Sequence, residues 1–105
     1  MKILLDECLP RRLDREFIGH EVHTIPQAGW AGLSNGNLLS AMQEKFDVFV
    51  TVDSNITSQQ NLGTVGTAVL IIRAPSNRFE DLRPLMPEIL QRLTTMQKGE
   101  ILYIG

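Results

Sequence analysis

Five residues in the middle of the chain, Val48-Phe49-Val50-Thr51-Val52, form a continuous apolar, β-branched run that stops abruptly at Asp53-Ser54-Asn55. A strand with one wet face alternates apolar and polar residues. A continuous run suits a strand buried on both faces, as in a parallel sheet covered by helices. Ala68–Ile72 repeats the pattern. Lys2–Leu5, Val22–Ile25 and Glu100–Ile104 are further short strand-like segments, and helix-like segments separate all five. The order β-α-β-α-β-α-β-α-β predicts right-handed crossovers over both faces of the sheet. The expected fold is a three-layer α/β/α arrangement with a mainly parallel five-stranded sheet of order 2-1-3-4-5.

The helical segments carry their own signals. Pro10 opens the first, where a missing N–H costs nothing, with Leu9, Leu13 and Phe17 at helical spacing and Gly19 as the stop. Pro26 to Gly36 reads as a Gly-rich loop carrying Trp30. Ser34 or Asn35 caps the next helix, with Leu38, Leu39, Met42 and Phe46 as its apolar stripe. A short polar helical stretch is expected from Asp53 to Leu62. Asn77-Arg78-Phe79-Glu80 resembles a capping box for the segment holding Leu82, Leu85, Met86, Ile89, Leu90 and Leu93. Pro84 and Pro87 should kink that segment or split it in two.

At 105 residues the chain has room for one core, so residues 1–105 are read as one domain. A net charge of −2 excludes a strongly basic nucleic-acid coat, but not a local basic patch. The single cysteine, Cys8, excludes an intramolecular disulfide and a Cys-rich zinc site. With no signal peptide and no apolar run near ~18 residues, the expected location is the cytoplasm, without a membrane span.

Parallel sheets bind ligands beyond the carboxyl ends of their strands, where strand order reverses. Asp6 and Glu7 follow the first strand and Asp53 follows the third. A 2-1-3 order makes those strands neighbours and brings Asp6 close to Asp53. Two carboxylates that close repel unless a cation neutralises them. Magnesium suits them, because it takes oxygen ligands, keeps several waters and needs only one or two protein carboxylates. The alternative is that Asp53 or Asn55 only caps the following helix.

The segments Met1–Pro10, Gly19-His-Glu-Val22, Gly29-Trp-Ala-Gly32, Asn35-Gly-Asn-Leu-Leu39 and Phe49-Val-Thr-Val-Asp53 together resemble the compact PIN-like proteins. Gln59-Gln-Asn-Leu62 and Arg73-Ala-Pro-Ser-Asn-Arg78 continue the likeness in order. The resemblance implies a nuclease-type fold, an acid cluster holding magnesium or manganese, and the role of the toxin in a type II toxin–antitoxin pair. Such a toxin cleaves RNA and meets a cognate antitoxin, here expected as a homodimer. Asp6 and Asp53 match the metal-binding aspartates, with Glu7 as a further metal ligand. Asn37 stands where the related pattern reads an acid. Its amide lacks charge and cannot act as a base. Asn37 is still a candidate catalytic residue beside Asp6 and Asp53, since its amide offers a carbonyl oxygen; the alternative is that an acid there would only complete a capping box begun at Ser34.

Arg73 and Arg11 are the expected phosphate contacts, since the guanidinium fork suits phosphate, and Asn55 is a further substrate contact. Thr51, beside Asp53, could orient a ligand or serve the core. His20 and His23 make a poor metal pair, because residues three apart on a strand face opposite ways. Trp30 reads as a loop anchor or partner contact, and Cys8 as a small core residue. Two other functions fit parts of the pattern. A catalytically degenerate binding protein would account for Asn37. A receiver-like phosphoacceptor would use Asp53, but no lysine follows the fifth strand and Ala74 stands where a receiver places Ser or Thr.

Overall fold

The structure, a computed structural model, describes residues 1–43, 45–53 and 67–105. Five strands, β1 (Lys2–Leu5), β2 (Glu21–Thr24), β3 (Val48–Thr51), β4 (Ala68–Ile72) and β5 (Ile101–Ile104), form one sheet. Its order is β2-β1-β3-β4-β5 and every pairing is parallel. All residues of β3 and β4 are buried, as their unbroken apolar runs require.

Alternate strand residues feed two cores. Ile3, Leu5, Val48, Val50, Leu70, Ile72 and Ile104 pack with Leu13, Leu82, Met86, Ile89 and Leu93 on one face. Leu4, Phe49, Val69 and Ile71 pack with Leu38 and Met42 on the other. Helix α1 (Asn35–Met42) therefore covers the second face. The first face is covered by a 3-10 helix, Arg11–Glu16, and by the segment between β4 and β5. That segment has three parts: α2 (Phe79–Leu82), a 3-10 turn (Arg83–Leu85) and α3 (Met86–Leu93). The two prolines start the second and third parts, as expected of residues that cannot donate within a helix.

The hand of one crossover departs from expectation. The β1-to-β2 connection moves one way across the first face, and the β2-to-β3 connection returns across the second, so they share a hand. The β4-to-β5 connection runs in the same direction as β2-to-β3 but over the first face. It therefore has the opposite hand to those two, so the crossovers cannot all share the right-handed sense that nearly all such connections take. The contacts behind this are specific. The Arg12 guanidinium lies 4.2 Å from the Phe79 ring centre and 3.0 Å from Glu80, and Arg83 meets Glu16 at 3.4 Å.

Smaller departures have local causes. The segment after Pro10 is a 3-10 helix because its hydrogen bonds close over three residues, Leu13 N–H to the Pro10 carbonyl and Phe17 N–H to that of Asp14. It ends at Glu16 with Phe17 as its C-cap, earlier than the expected stop, and Gly19, with φ of +86°, lies in the turn that follows. β2 begins at Glu21 and releases Ile25 into the second core. The Asn77–Glu80 capping box does not form. Ser76 accepts from Arg78 N–H and donates to Asp81, while the Asn77 amide donates to the Cys8 carbonyl at 2.8 Å. The helical stretch expected from Asp53 to Leu62 lies outside the described residues.

Candidate functional site

β1 and β3 are hydrogen-bonded neighbours, with Leu5 opposite Val50. Extending that register by one residue sets Asp6 opposite Thr51, and Asp6 N–H donates to the Val50 carbonyl at 3.0 Å. The Thr51 hydroxyl, 0% exposed, donates to Asp6 Oδ2 at 2.7 Å. The same oxygen accepts the Asp53 N–H at 3.0 Å. A hydroxyl has one proton and two lone pairs, so one Thr51 oxygen serves both partners at once. Asp6 Oδ1 accepts from Glu7 N–H at 2.7 Å. Asp6 and Asp53 are half-buried, and Glu7 is exposed.

Cys8 joins this group, its Sγ 3.8 Å from Thr51 Oγ1. Burial pushes the thiol above its ordinary ionisation range, and the Asp6 charge adds to the rise. Cys8 therefore stays a protonated thiol at neutral pH.

Two clefts open at the carboxyl edge. One, of about 420 Å³, is lined by Asp6, Glu7, Leu9, Arg11, Thr24 and Gln27. The other, of about 450 Å³, is lined by Val52, Arg73, Ser76 and Asn77 among others. The first therefore brings together Asp6, Glu7 and Arg11. Arg73 borders the second, its guanidinium 5.2 Å from the Tyr103 ring centre. A larger cleft, of about 580 Å³, lies away from these acids between Arg12, Phe79 and Pro87, and its one carboxylate, Glu80, is paired with Arg12.

Among the described residues, Asn37 lines neither carboxyl-edge cleft. It is exposed in the first turn of α1, and its N–H donates to the capping Ser34 Oγ at 3.4 Å. Asn55 lies outside the described residues. His20 lies beside the N-terminal amine and His23 beside Glu21, in separate contacts. Trp30 packs edge-on against Phe46 at the rim of the second core. Sequence reasoning underweighted Thr51 and missed the Asn77 tie. The signal for Thr51 was present: it is the one polar residue inside an otherwise apolar run, at the register position opposite Asp6.

No family model, curated protein or solved structure matches the chain. Among the described residues, no group of three or more His, Cys, Asp and Glu side chains is gathered as a metal cage. The donor set fits a metal that asks for less. Each Asp6 oxygen already accepts one hydrogen bond, and a carboxylate oxygen has a further lone pair to offer. One or two carboxylates with retained waters are a magnesium-type donor set.

Proposed function

We propose that the protein is a metal-dependent ribonuclease that hydrolyses RNA phosphodiester bonds at the Asp6–Asp53 edge. The single observation that carries this reading is the shared Thr51 hydroxyl, which ties the Asp6 carboxylate to the Asp53 backbone at the ends of two adjacent strands. Support also comes from the cleft in which Arg11 faces the same space as Asp6 and Glu7. The sequence resemblance to PIN-like toxins supports RNA as the substrate. It also supports a cognate antitoxin as partner, a homodimer and a cytoplasmic location.

Asp6 and Asp53 would hold magnesium or manganese, with Glu7 as an outer carboxylate. The bound ion would supply Lewis-acid polarisation of a phosphate oxygen and a more acidic water. Thr51 fixes one Asp6 oxygen and leaves the carboxylate oriented rather than free to rotate. Arg11 neutralises phosphate charge on the β2 side, and Arg73 does so on the β4 side. Tests are magnesium-dependent cleavage of a labelled single-stranded RNA and magnesium titration calorimetry on the full chain. Cleavage that is lost with EDTA and in Asp6→Asn supports the reading. Magnesium binding without cleavage of RNA would favour the degenerate binding protein, for which the exposed Asn37 cap is the specific observation.

A further inference from the structure

We propose that RNA leaving the Asp6–Glu7 cleft runs as a single strand along an arginine track over the first 3-10 helix and stacks a base on Arg12, so that the protein selects RNA by length and strandedness. The proposal rests on RNA as the ligand of the Asp6–Asp53 edge and adds where the rest of the strand lies. Positive charge is unevenly placed on this chain. Helix α1, over the second face, has no charged residue. The 3-10 helix over the first face, Arg-Arg-Leu-Asp-Arg-Glu, has three arginines among its six residues. A chain with a net charge of −2 therefore carries a local basic surface on one side.

The helix period arranges those arginines. At three residues per turn, side chains three apart are eclipsed. Leu13 and Glu16 share one line, where Leu13 is buried and Glu16 meets Arg83. Arg12 and Arg15 share a second line, and Arg11 and Asp14 a third. All three arginines are exposed, and among the described residues Arg11 and Arg15 hold no carboxylate. A cleft of about 480 Å³ lies between Arg11, Arg12 and Arg15, with Asp14 as its one acid. Arg11 also lines the cleft of Asp6 and Glu7, and Arg12 also lines the cleft of Phe79 and Pro87. Three neighbouring clefts thus share walls in the order acids, arginines, aromatic ring.

Each part meets a different part of a nucleotide strand. The acids suit a divalent ion set against one phosphate. The arginines beside them match the phosphates that follow, and such contacts position a strand without reading its sequence. At the far end the Arg12 guanidinium lies 4.2 Å from the Phe79 ring centre, and its side chain is 61% exposed. One face of the planar group rests on the ring, and the exposure leaves the other open. Unpaired bases stack on guanidinium planes, whereas a base inside a duplex is already stacked on both faces. An acidic polypeptide matches the arginines, but its carboxylates bring no ring to this stack. The occupant that uses acids, arginines and stack together is single-stranded RNA.

The test is fluorescence anisotropy of labelled RNAs with the full chain in EDTA, where metal-dependent cleavage stops. A single strand of about twelve nucleotides should bind tighter than one of about three, and tighter than the same sequence in a duplex. Arg15→Ala should lower the log–log salt slope for the long strand by about 0.7, the value of one single-strand phosphate contact. Arg12→Lys keeps the charge and removes the plane, so it should weaken the long strand about tenfold with little change in slope. Both variants should keep the parent's circular dichroism. Equal affinity for long and short strands overturns the proposal. So does a parent-like slope in Arg15→Ala, or parent-like affinity in Arg12→Lys. Displacement of the RNA by polyglutamate, equally in the parent and Arg12→Lys, would assign the surface to an acidic polypeptide and overturns it too. Cleavage is read separately with magnesium. A chain that binds long single strands in this way without cutting them loses the nuclease reading alone, and one that cuts without the length dependence loses the track alone.

Discussion

Thr51 gives its one hydroxyl proton to Asp6 across 2.7 Å, from a side chain fully closed to solvent. A buried hydroxyl placed this way joins the ends of two adjacent strands at the candidate site. Thr51→Val keeps the shape and deletes both bonds, leaving the Asp6 oxygen and the Asp53 N–H without this partner. The expected cost is about 1–3 kcal/mol by urea denaturation, with weaker magnesium binding. Thr51→Ser should retain most of both, because it keeps the oxygen. Equal loss in the two variants would show that the methyl, not the hydroxyl, matters.

Asp6→Asn and Asp53→Asn should each remove most magnesium affinity in calorimetry while leaving the fold intact, since both side chains are only half-buried. Normal binding in either variant would mean that the two acids do not share an ion.

Asn37→Glu separates cap from site. Position 37 is the third residue after the capping Ser34, where an acid closes a capping box and faces the helix dipole favourably. The expected gain is about 0.5–1 kcal/mol in a thermal melt, with magnesium affinity unchanged. Tighter magnesium binding in this variant would place residue 37 in the metal site after all.

Cys8 should alkylate slowly compared with a free thiol, because burial and the Asp6 charge both disfavour its thiolate. Asp6→Asn removes the charge and should speed iodoacetamide labelling at mildly alkaline pH. The linkage sign follows from the raised value. Cys8 contributes full stability below the ordinary thiol range, and that contribution falls as pH rises through it, since the unfolded thiol ionises first. Labelling rates in Asp6→Asn equal to the parent would remove Asp6 as a cause.

Arg12→Ala tests the contact between the first 3-10 helix and α2. The Arg12–Glu80 pair is 61% and 70% exposed, so water screens it and it contributes little. The stacking on Phe79 adds a similar small amount. The expected loss is about 0.5–1.5 kcal/mol, largely insensitive to salt if the Phe79 contact dominates. A loss that vanishes in high salt would assign it to Glu80.

The sheet was legible in the sequence because burial on both faces leaves an unbroken apolar run, and Ala68–Ile72 and Lys2–Leu5 match β4 and β1 in full. The positions of Asp6 and Asp53 followed, since strand ends and strand order fix them. The hand of the last crossover did not follow. It depends on Leu82 and Ile89 joining the same core as Leu13, a contact between distant segments that helical periodicity cannot report. The Asn77 cap failed for a related reason: its amide serves the Cys8 carbonyl, 69 residues away, and Ser76 takes over locally. Composition alone gave no hint of either.

That last crossover has a consequence in time. It lays residues 79–93 back over Arg11–Glu16, and the Asp6 turn is held by partners 45 and 69 residues later, Thr51 to Asp6 and Asn77 to Cys8. Contacts so far apart in sequence form only after long loops close. A chain emerging from the ribosome therefore carries Asp6 long before anything can hold it in place. Whatever chemistry this edge performs is withheld from the nascent polypeptide until Thr51 and Asn77 have both emerged.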